Sequence, residues 1–317
     1  MSSQMKKASA LIIVMLLLMT GFVLIQLNFA ILDYVLPSRL RKLAAILLVG
    51  AAIGVSSLVF QSITENHLLT PSVIGLDAVY LFIQTIIIFL FGKMGDAVFN
   101  VYTNFFVSVI LMIGFTLGLF NLVFKKNTSV YFVLLFGIVM GTCFSSLSSF
   151  MHMVMNPDDF LLLQDKLFAS FNTVNEKLLI ISCALIIILL IYIYKKSYEL
   201  DVLSLGKTHA TNLGVNVDRL TRNMLLVIAI LVSISTALVG PITFLGIIVC
   251  NVTYQLMQTF KHQYLIISVI AVSAITLLLG QMINQYFFDG TTEITILINF
   301  IGGIYFIYLL FKEGAHD

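Results

Sequence analysis

The spacing of charged residues is the feature that most limits what this chain can fold into. Between Arg222 and Lys261 the sequence has no Asp, Glu, Lys or Arg, and the whole chain is 60% apolar and only 10% charged. Soluble domains are about 25% charged, so this chain has too little polar surface to cover a water-soluble fold. A helix crosses a bilayer with about 20 mainly apolar residues. The pattern therefore predicts an all-α, polytopic transmembrane protein.

Ten apolar segments are long enough to be spans, and they make residues 1–317 a single transmembrane domain. The first is longer than the apolar core of a cleaved signal peptide, about 7–15 residues, so we expect it to be retained. Gly240 and Pro241 favour a break between the seventh and eighth spans. The predicted spans are 8–32, 43–63, 73–92, 97–124, 128–155, 178–194, 223–239, 242–260, 264–288 and 294–311.

The distribution of basic residues sets the orientation. Ten spans place both termini on one side, and Lys and Arg concentrate on the cytoplasmic side of membrane proteins. With the N-terminus inside, eleven of the seventeen Lys and Arg residues lie inside and six outside. The sequence therefore predicts an N-in, C-in topology, and "inner" and "outer" are used below in that sense.

Three of the six outer cations, Arg39, Arg41 and Lys42, lie close together. Two interpretations are open. The cluster is a tight loop at the lipid headgroups, where long basic side chains reach water, or it is a docking point for an acidic partner.

Two segments between the spans are long enough to fold. Residues 156–177 alternate polar and apolar residues at roughly helical spacing, which predicts an outer interfacial helix with Leu161, Phe168 and Phe171 on one face. Residues 195–222 form the longest polar loop, on the inner side, and Gly206 and Gly214 divide it into a short helix, a turn and a short helix.

Pairs of glycines four residues apart recur within the predicted spans. This spacing lets another helix backbone approach closely and therefore predicts tight helix packing. The pairs are Gly50 and Gly54, Gly114 and Gly118, and Gly137 and Gly141.

Signatures of catalysis are absent from the sequence, which contains no H-E-x-x-H, G-x-S-x-G or C-x-x-C. The run from Gly206 to Thr208 looks like the end of a phosphate-binding loop, but that loop needs a glycine at the position that Asp201 occupies. The three cysteines have no metal-ligand spacing. We expect no enzymatic activity, no metal and no cofactor on this chain, and the net charge of +2 gives no reason to expect nucleic acid.

A few polar residues inside the spans are candidates for function. Asp77 is an ionisable residue within a span, which indicates either a functional site or an interfacial position reached by water. Ser145 and Ser149 line a polar path or are small packing residues. His152, among Met151, Met153 and Met155, binds a soft metal or packs at the end of its span.

No series of buried carboxylates crosses the membrane. Carriers driven by protons or sodium usually have such groups near the midplane. Their scarcity indicates another source of energy, and a pore with uncharged walls suits a large ligand.

Three stretches carry motifs that resemble one family. They are RLRKLAAILLVGAAIGVSSLVFQSITENHLLTPSVIG at 39–75, ELDVLSLGKTHATNLGVNVDRLTR at 199–222, and residues 236–310. In the third stretch the match lies in ALVGPITFLGIIV at 237–249 and in Gly302, Tyr305 and Phe306 of the last span. Together they resemble the permease subunits of bacterial ABC importers for iron-siderophores, haem and cobalamin, the FecCD family. Cys250 and Asn251 stand where that family has Pro and His.

The inner loop is the most specific of the three stretches, because it follows the family motif L-D-x-L-x-L-G-x-x-x-A-x-x-L-G-V almost without gaps. The resemblance implies that residues 199–217 form cytoplasmic coupling helices that sit on an ATPase subunit. The residues that carry the match are Asp201, Leu203, Leu205, Gly206, Ala210, Leu213, Gly214 and Val215.

The resemblance also implies roles elsewhere in the chain. Arg39 and Lys42 fall on two basic positions of the family, which implies docking of a substrate-binding protein and favours that interpretation of the outer cations. Gln61 and Asn66 match the family as well. We predict that they contribute to a translocation path with Asp77, Ser145 and Ser149.

The partners and the cargo follow from the same resemblance. It implies two ATP-binding subunits that hold the ATP, a second permease (a different chain or another copy), and an extracellular or periplasmic substrate-binding protein, all at a bacterial plasma membrane. The TPS-x-I-G loop looks most like the subgroup for ferric catecholate siderophores of the petrobactin and anguibactin kind. Haem or cobalamin as ligand, and an ion-gradient-driven carrier, remain alternatives.

Overall fold

The structure is a computed structural model that describes residues 3–25, 32–92, 100–124, 130–288 and 292–313. Those residues form thirteen α-helices, one 3-10 turn at Pro71–Ile74 and no strands. The helices are α1 Ser3–Leu24, α2 Leu32–Thr64, α3 Leu76–Phe91, α4 Val101–Phe124, α5 Val130–Val154, α6 Pro157–Leu167, α7 Glu176–Lys195, α8 Ser197–Leu203, α9 Lys207–Asn212, α10 Val217–Val239, α11 Leu245–Met257, α12 His262–Phe287 and α13 Ile294–Glu313.

The ten predicted spans correspond to ten apolar helices in the described part of the chain. Seven of them are long and apolar enough to cross a membrane by length and composition, and α3, α11 and α13 are shorter apolar helices. The all-α, polytopic prediction is therefore confirmed. Residues 26–31, 97–99 and 128–129 of the predicted spans, and Lys93, Lys125 and Lys126 of the charge count, lie outside the described residues.

Helix α2 is the centre of the bundle. The part of it that is apolar enough to span a membrane is 83% buried, and it packs against α10, α11 and α12. Small residues make this possible, because a Cβ atom on Gly54 would overlap Ser273 Oγ of α12, and one on Gly50 would lie 3.1 Å from Leu277. The prediction of tight packing at this pair is confirmed.

The start of α2 differs from the predicted span. The helix begins at Leu32 rather than at residue 43, so Arg39, Arg41 and Lys42 lie on a helix. The interpretation of these cations as a tight loop is therefore wrong. Basic side chains on a helix can also reach water because of their long apolar stems, so a cluster of cations is compatible with a helix as well as with a loop.

The other glycine pairs differ from one another. Cβ atoms on Gly137 and Gly75 would lie 2.9 Å from Ile74 Cα and from the Gly137 carbonyl oxygen, so α5 and the 3-10 turn are in backbone contact. A Cβ on Gly114 or Gly118 would meet nothing within 4 Å. The prediction of tight packing is confirmed for the pair on α5 and is wrong for the pair on α4 within the described structure.

Residues 156–177 contain the predicted short helix, but not the predicted face. Helix α6 ends at Leu167, so Phe168 and Phe171 lie beyond it and helical spacing no longer relates them to Leu161. Leu161 is exposed, whereas Leu163 is fully buried. The following loop is fixed by hydrogen bonds from the Ser170 N–H to the Val239 carbonyl and from the Ala169 N–H to Thr295 Oγ1, both 2.8 Å.

The close contact between α2 and α12 leads to a stability prediction. We expect Gly54→Ala to lower the free energy of unfolding by about 1–3 kcal/mol, because the added methyl group has no space. Ser273→Ala in the same chain should recover part of the loss, since it removes the overlapping Oγ. Thermal unfolding in detergent measures both, and Gly118→Ala is the control that should leave the midpoint unchanged. An unaltered unfolding midpoint in Gly54→Ala would contradict the close packing of α2 against α12.

Candidate functional site

The inner loop folds as the sequence predicts, into α8, a turn and α9. Its second helix ends in a Schellman motif, in which Val215 N–H donates to the Ala210 carbonyl and Gly214 N–H donates to the Thr211 carbonyl, both at 3.0 Å. Gly214 takes the left-handed conformation that this motif requires, with φ 86°. The spacing of Ala210, Gly214 and Val215 in the family motif is thus the spacing of a helix C-cap.

The predicted coupling residues divide into two groups by exposure. Leu203 and Ala210 are fully buried against the bundle, whereas Leu205 and Leu213 are 56% and 64% exposed. Gly206, with φ 95°, lies at the turn between α8 and α9 and is the N-cap of α9. Exposed leucines on an otherwise polar loop are typical of a surface that binds another protein. The structure therefore places Leu205 and Leu213 on the exposed side of the loop.

Asp201 belongs to neither group, because its side chain points towards α12. Its Oδ1 accepts hydrogen bonds from the backbone N–H and from Nδ1 of His262, at 2.6 and 2.8 Å. Sequence reasoning missed His262. No local sequence pattern indicates the contact between Asp201 and His262, because the two residues are 61 positions apart.

Arg39 has a structural partner that the sequence did not reveal. Its Nη1 donates to the carbonyl oxygens of Phe22, Val23 and Ile25 at 3.3, 2.9 and 2.6 Å. These carbonyls end α1 and have no partner within the helix, and a cation there also interacts favourably with the helix dipole. Arg39 therefore caps α1.

Three other outer cations border an open groove. A cavity of about 850 Å³ lies between α2, α4 and α7 and is lined by Arg41, Lys42 and Lys177 among others. Arg41 Nη1 lies 3.9 Å from the Glu176 carboxylate, with both side chains largely exposed. Exposed pairs of this kind contribute about 0–1 kcal/mol. The groove therefore leaves basic groups accessible to an acidic partner, and the docking role of Arg39 and Lys42 stays a prediction.

Two of the predicted path residues hold the loop that follows α2. Gln61 Nε2 donates to the His67 carbonyl at 2.6 Å, and Asn66 Oδ1 accepts from the Leu68 N–H at 2.8 Å. Asn251, which sequence reasoning noted only as a departure from the family, donates to the same His67 carbonyl at 3.2 Å. A cavity of about 600 Å³ borders Gln61 and His67 on the inner side.

Asp77 has a partner inside the bundle. It lies in the first turn of α3, and its Oδ2 accepts from Thr243 Oγ1 at 3.1 Å. Thr243 belongs to the break between α10 and α11 that Gly240 and Pro241 predict. Asp77 therefore joins α3 to this break.

Four of the hydroxyl groups of α5 lie on an exposed face, whereas Ser148 is buried. Ser145 and Ser149 are exposed, and Ser149 Oγ donates to the Ser145 carbonyl at 2.9 Å. Thr142 and Ser146 are also exposed and form the same bond to the carbonyl four residues earlier. A polar face on a membrane helix normally meets another protein or water rather than lipid. Both interpretations of these serines, a polar path and packing against another chain, therefore stay predictions.

His152, at the end of α5, has partners that favour packing over metal binding. Its Nε2 lies 3.1 Å from Thr85 Oγ1, and its ring meets Phe160 edge to face with centroids 5.6 Å apart. Met153 is 86% exposed and points away from this contact. Within the described residues, no group of three His, Cys, Asp or Glu side chains could hold a metal ion.

The fold and the inner loop together define a class: a multi-pass α-helical membrane protein with a folded, exposed loop on its inner side. Known proteins agree. The FecCD transport family matches residues 9–312. The petrobactin import system permease protein YclO of Bacillus subtilis (strain 168) is 50% identical over 283 residues, which cover 89% of this chain and 90% of that protein. The petrobactin import system permease protein FatC of Bacillus anthracis is 33% identical, over 89% of this chain and 80% of its own length.

A solved structure has the same fold. It is described as a metal-chelate type ABC transporter in an inward-facing conformation, and it superposes with a TM-score of 0.86, at 24% identity, over 98% of this chain and 100% of that chain. The chain belongs to the FecCD transport family. It is a multi-pass protein of the plasma membrane with a transport role.

Two variants should distinguish the roles of the predicted docking cations Arg39 and Lys42. We expect Arg39→Gln to lower the unfolding midpoint, with a loss of about 2 kcal/mol, because the carbonyls that end α1 lose a charged donor. Lys42→Gln should leave the midpoint unchanged and weaken binding of the substrate-binding protein. Thermal unfolding and a binding titration distinguish these effects. Equal midpoints for the two variants would contradict the capping role of Arg39.

Proposed function

We propose that this chain is the membrane-spanning permease subunit of an ABC importer for a ferric siderophore, and that a petrobactin-like catecholate siderophore is its cargo. The observation that carries the proposal is the 50% identity to a petrobactin import permease across about nine-tenths of both chains. The second petrobactin permease, at 33% identity, supports the same ligand class.

The proposed importer contains partners that supply energy and cargo. Two ATP-binding subunits hold and hydrolyse ATP, and this chain holds no nucleotide itself. A second permease, either a different chain or another copy, completes the translocation path. An extracellular or periplasmic substrate-binding protein delivers the ferric siderophore to the outer side.

The loop of residues 199–217 is the proposed contact with the ATPase. Its two exposed leucines, Leu205 and Leu213, supply apolar area, and the buried residues Leu203 and Ala210 hold the loop on the bundle. Asp201, Gly206, Gly214 and Val215 set its shape through the contact to α12 and the two turns. A rigid loop of this kind can pass on a movement of the partner.

The exposed hydroxyl face of α5 is the proposed wall of the path. Ser145 and Ser149 lie on it, and it is polar without being charged. Gln61 and Asn66 support the path by holding the loop that follows α2, and Asp77 supports it through its bond to Thr243. Arg39 and Lys42 lie at the outer side, where a substrate-binding protein with acidic residues would dock.

The cargo is tested directly by transport. We expect the importer, reconstituted in liposomes with its substrate-binding protein and ATPase, to take up ferric petrobactin at least about tenfold faster than a ferric hydroxamate, haem or cobalamin. Such discrimination corresponds to about 1.4 kcal/mol. The difference in rate is measured as uptake of radioactive iron, cobalt or haem into the liposomes. Uptake that continues without the ATPase and depends on an ion gradient would instead identify a secondary carrier.

The ATPase contact is tested by binding. We expect the double variant Leu205→Asp, Leu213→Asp to lose co-purification of the ATPase subunits, because two charges replace the apolar area that a partner would cover. Asn212→Asp adds a charge at an exposed position of the same loop and is the control that should retain the ATPase. If the double variant still brings down the ATPase and supports uptake, the loop is not the contact.

A further inference from the structure

The inner end of α12 is held by a side chain of the coupling loop. His262 is the first residue of α12 and is 2% exposed. Its backbone N–H is one of the amides that a helix start leaves without an internal partner, and Asp201 Oδ1 accepts it at 2.6 Å. The negative charge of Asp201 also lies at the positive end of the helix dipole. Asp201 therefore caps α12 from a different part of the chain.

The contact continues from His262 into α2. A carboxylate oxygen accepts hydrogen bonds only, so His262 Nδ1 carries the proton that it shares with Asp201 at 2.8 Å. The other ring nitrogen, Nε2, lies 2.8 Å from Ser62 Oγ on the last turns of α2. The Ser62 hydroxyl also lies 2.9 Å from the Leu58 carbonyl of its own helix. One buried imidazole thus joins the coupling loop, α12 and α2.

These bonds differ in kind from the other contacts of the loop. Leu200, Leu203 and Ala210 are fully buried, but apolar contacts are not directional and allow the loop to slide over the bundle. Hydrogen bonds to a charged group are shorter and stronger than neutral ones and fix an orientation. The Lys196 to Glu199 ion pair is internal to α8 and its start, so it does not link the loop to the bundle.

The packing of α12 extends the link along the membrane. Ser273 of α12 lies so close to Gly54 of α2 that a Cβ atom there would overlap its Oγ, and a Cβ atom on Gly50 would lie 3.1 Å from Leu277 of α12. A displacement of His262 therefore moves α12 and α2 together. Close-packed interiors transmit such shifts with little compression.

We propose that Asp201, His262 and Ser62 are positioning residues that convert movement of the coupling loop into movement of α12 and α2, and so couple ATP hydrolysis to transport. This inference depends on the proposed function, because the movement originates on the ATPase. The loop's exposed leucines bind the partner, and the Asp201–His262–Ser62 link transmits the force. Loss of the link should leave ATP hydrolysis in place and separate it from uptake.

The test is the ratio of ferric siderophore transported to ATP hydrolysed, measured in liposomes that contain the permease, the ATPase and the substrate-binding protein. We expect Asp201→Asn and His262→Ala each to lower this ratio about tenfold, the effect of losing a charge-assisted hydrogen bond. The double variant should be no worse than the more severe single variant, because both changes remove one contact. Additive losses would overturn a shared link.

Two conservative variants of His262 separate its two bonds. His262→Asn leaves an amide donor near the position of Nδ1 and keeps the bond to Asp201, whereas His262→Gln reaches towards Ser62 instead. We expect the ratio of transported siderophore to hydrolysed ATP to be highest in His262→Asn, lower in His262→Gln and lowest in His262→Ala. Ser62→Ala should give a ratio close to that of His262→Asn. Ser204→Ala is the matched control, since Ser204 Oγ donates only to the Leu200 carbonyl of its own turn, at 3.1 Å, and its ratio should stay at the wild-type value.

The outcomes separate the link from a structural role and from the proposed function. If Asp201→Asn and His262→Ala lower the unfolding midpoint but assembled complexes keep the wild-type ratio, the residues only stabilise the fold and the proposal is overturned. The same conclusion follows from a wild-type ratio in variants of full stability. If the wild-type permease retains no ATPase at all, the proposed function fails, and this result is visible before any variant is made.

Discussion

The contact between α2 and α12 is the constraint on which the rest of the bundle depends. Lipid tails are as apolar as the helices, so membrane helices associate through close packing rather than through burial from water. Gly54 lets Ser273 approach until a Cβ atom has no space, and Gly50 is in tight contact with Leu277, one turn further along α12. Because α2 then also packs against α10 and α11, one helix sets the positions of three others. Any motion within the bundle must preserve or slide this contact.

Charged residues in the described bundle serve helix ends more than the membrane interior. Arg39 caps the end of α1, Lys7 Nζ donates to the Leu256 carbonyl in the last turn of α11 at 2.9 Å, and Asp201 caps the start of α12. Each sign matches the helix dipole, with cations at C-termini and the anion at an N-terminus. Backbone groups that leave a helix near lipid need such partners because water is scarce there. Three of the few charges in this apolar chain are therefore used to end helices.

The sequence was sufficient for properties that depend on local pattern. Apolar length predicted the ten apolar helices, and the positions of Gly206 and Gly214 predicted the two short helices of the inner loop. Properties that depend on distant contacts could not be read in this way. Nothing near Arg39 indicates that it caps α1, and nothing near Asp201 indicates His262, because each pairing is set by how the helices pack. The predicted face of α6 was wrong for a related reason, since helical spacing was applied beyond Leu167, where the helix ends.

On the proposed path, the exposed hydroxyl groups of α5 affect how tightly the cargo is held. Thr142, Ser146 and Ser149 each donate their proton to a carbonyl of the preceding turn, so the oxygen lone pairs are what they present outwards. Catecholate siderophores carry their charge on oxygen, and a wall of acceptors offers such a complex few donors to hold it. On the proposed path, a cargo that binds weakly to the wall needs a conformational change to give its movement a direction. That change has to reach the bundle from the inner loop, and Asp201 and His262 are the point at which the loop is bonded to the helix that packs along α2.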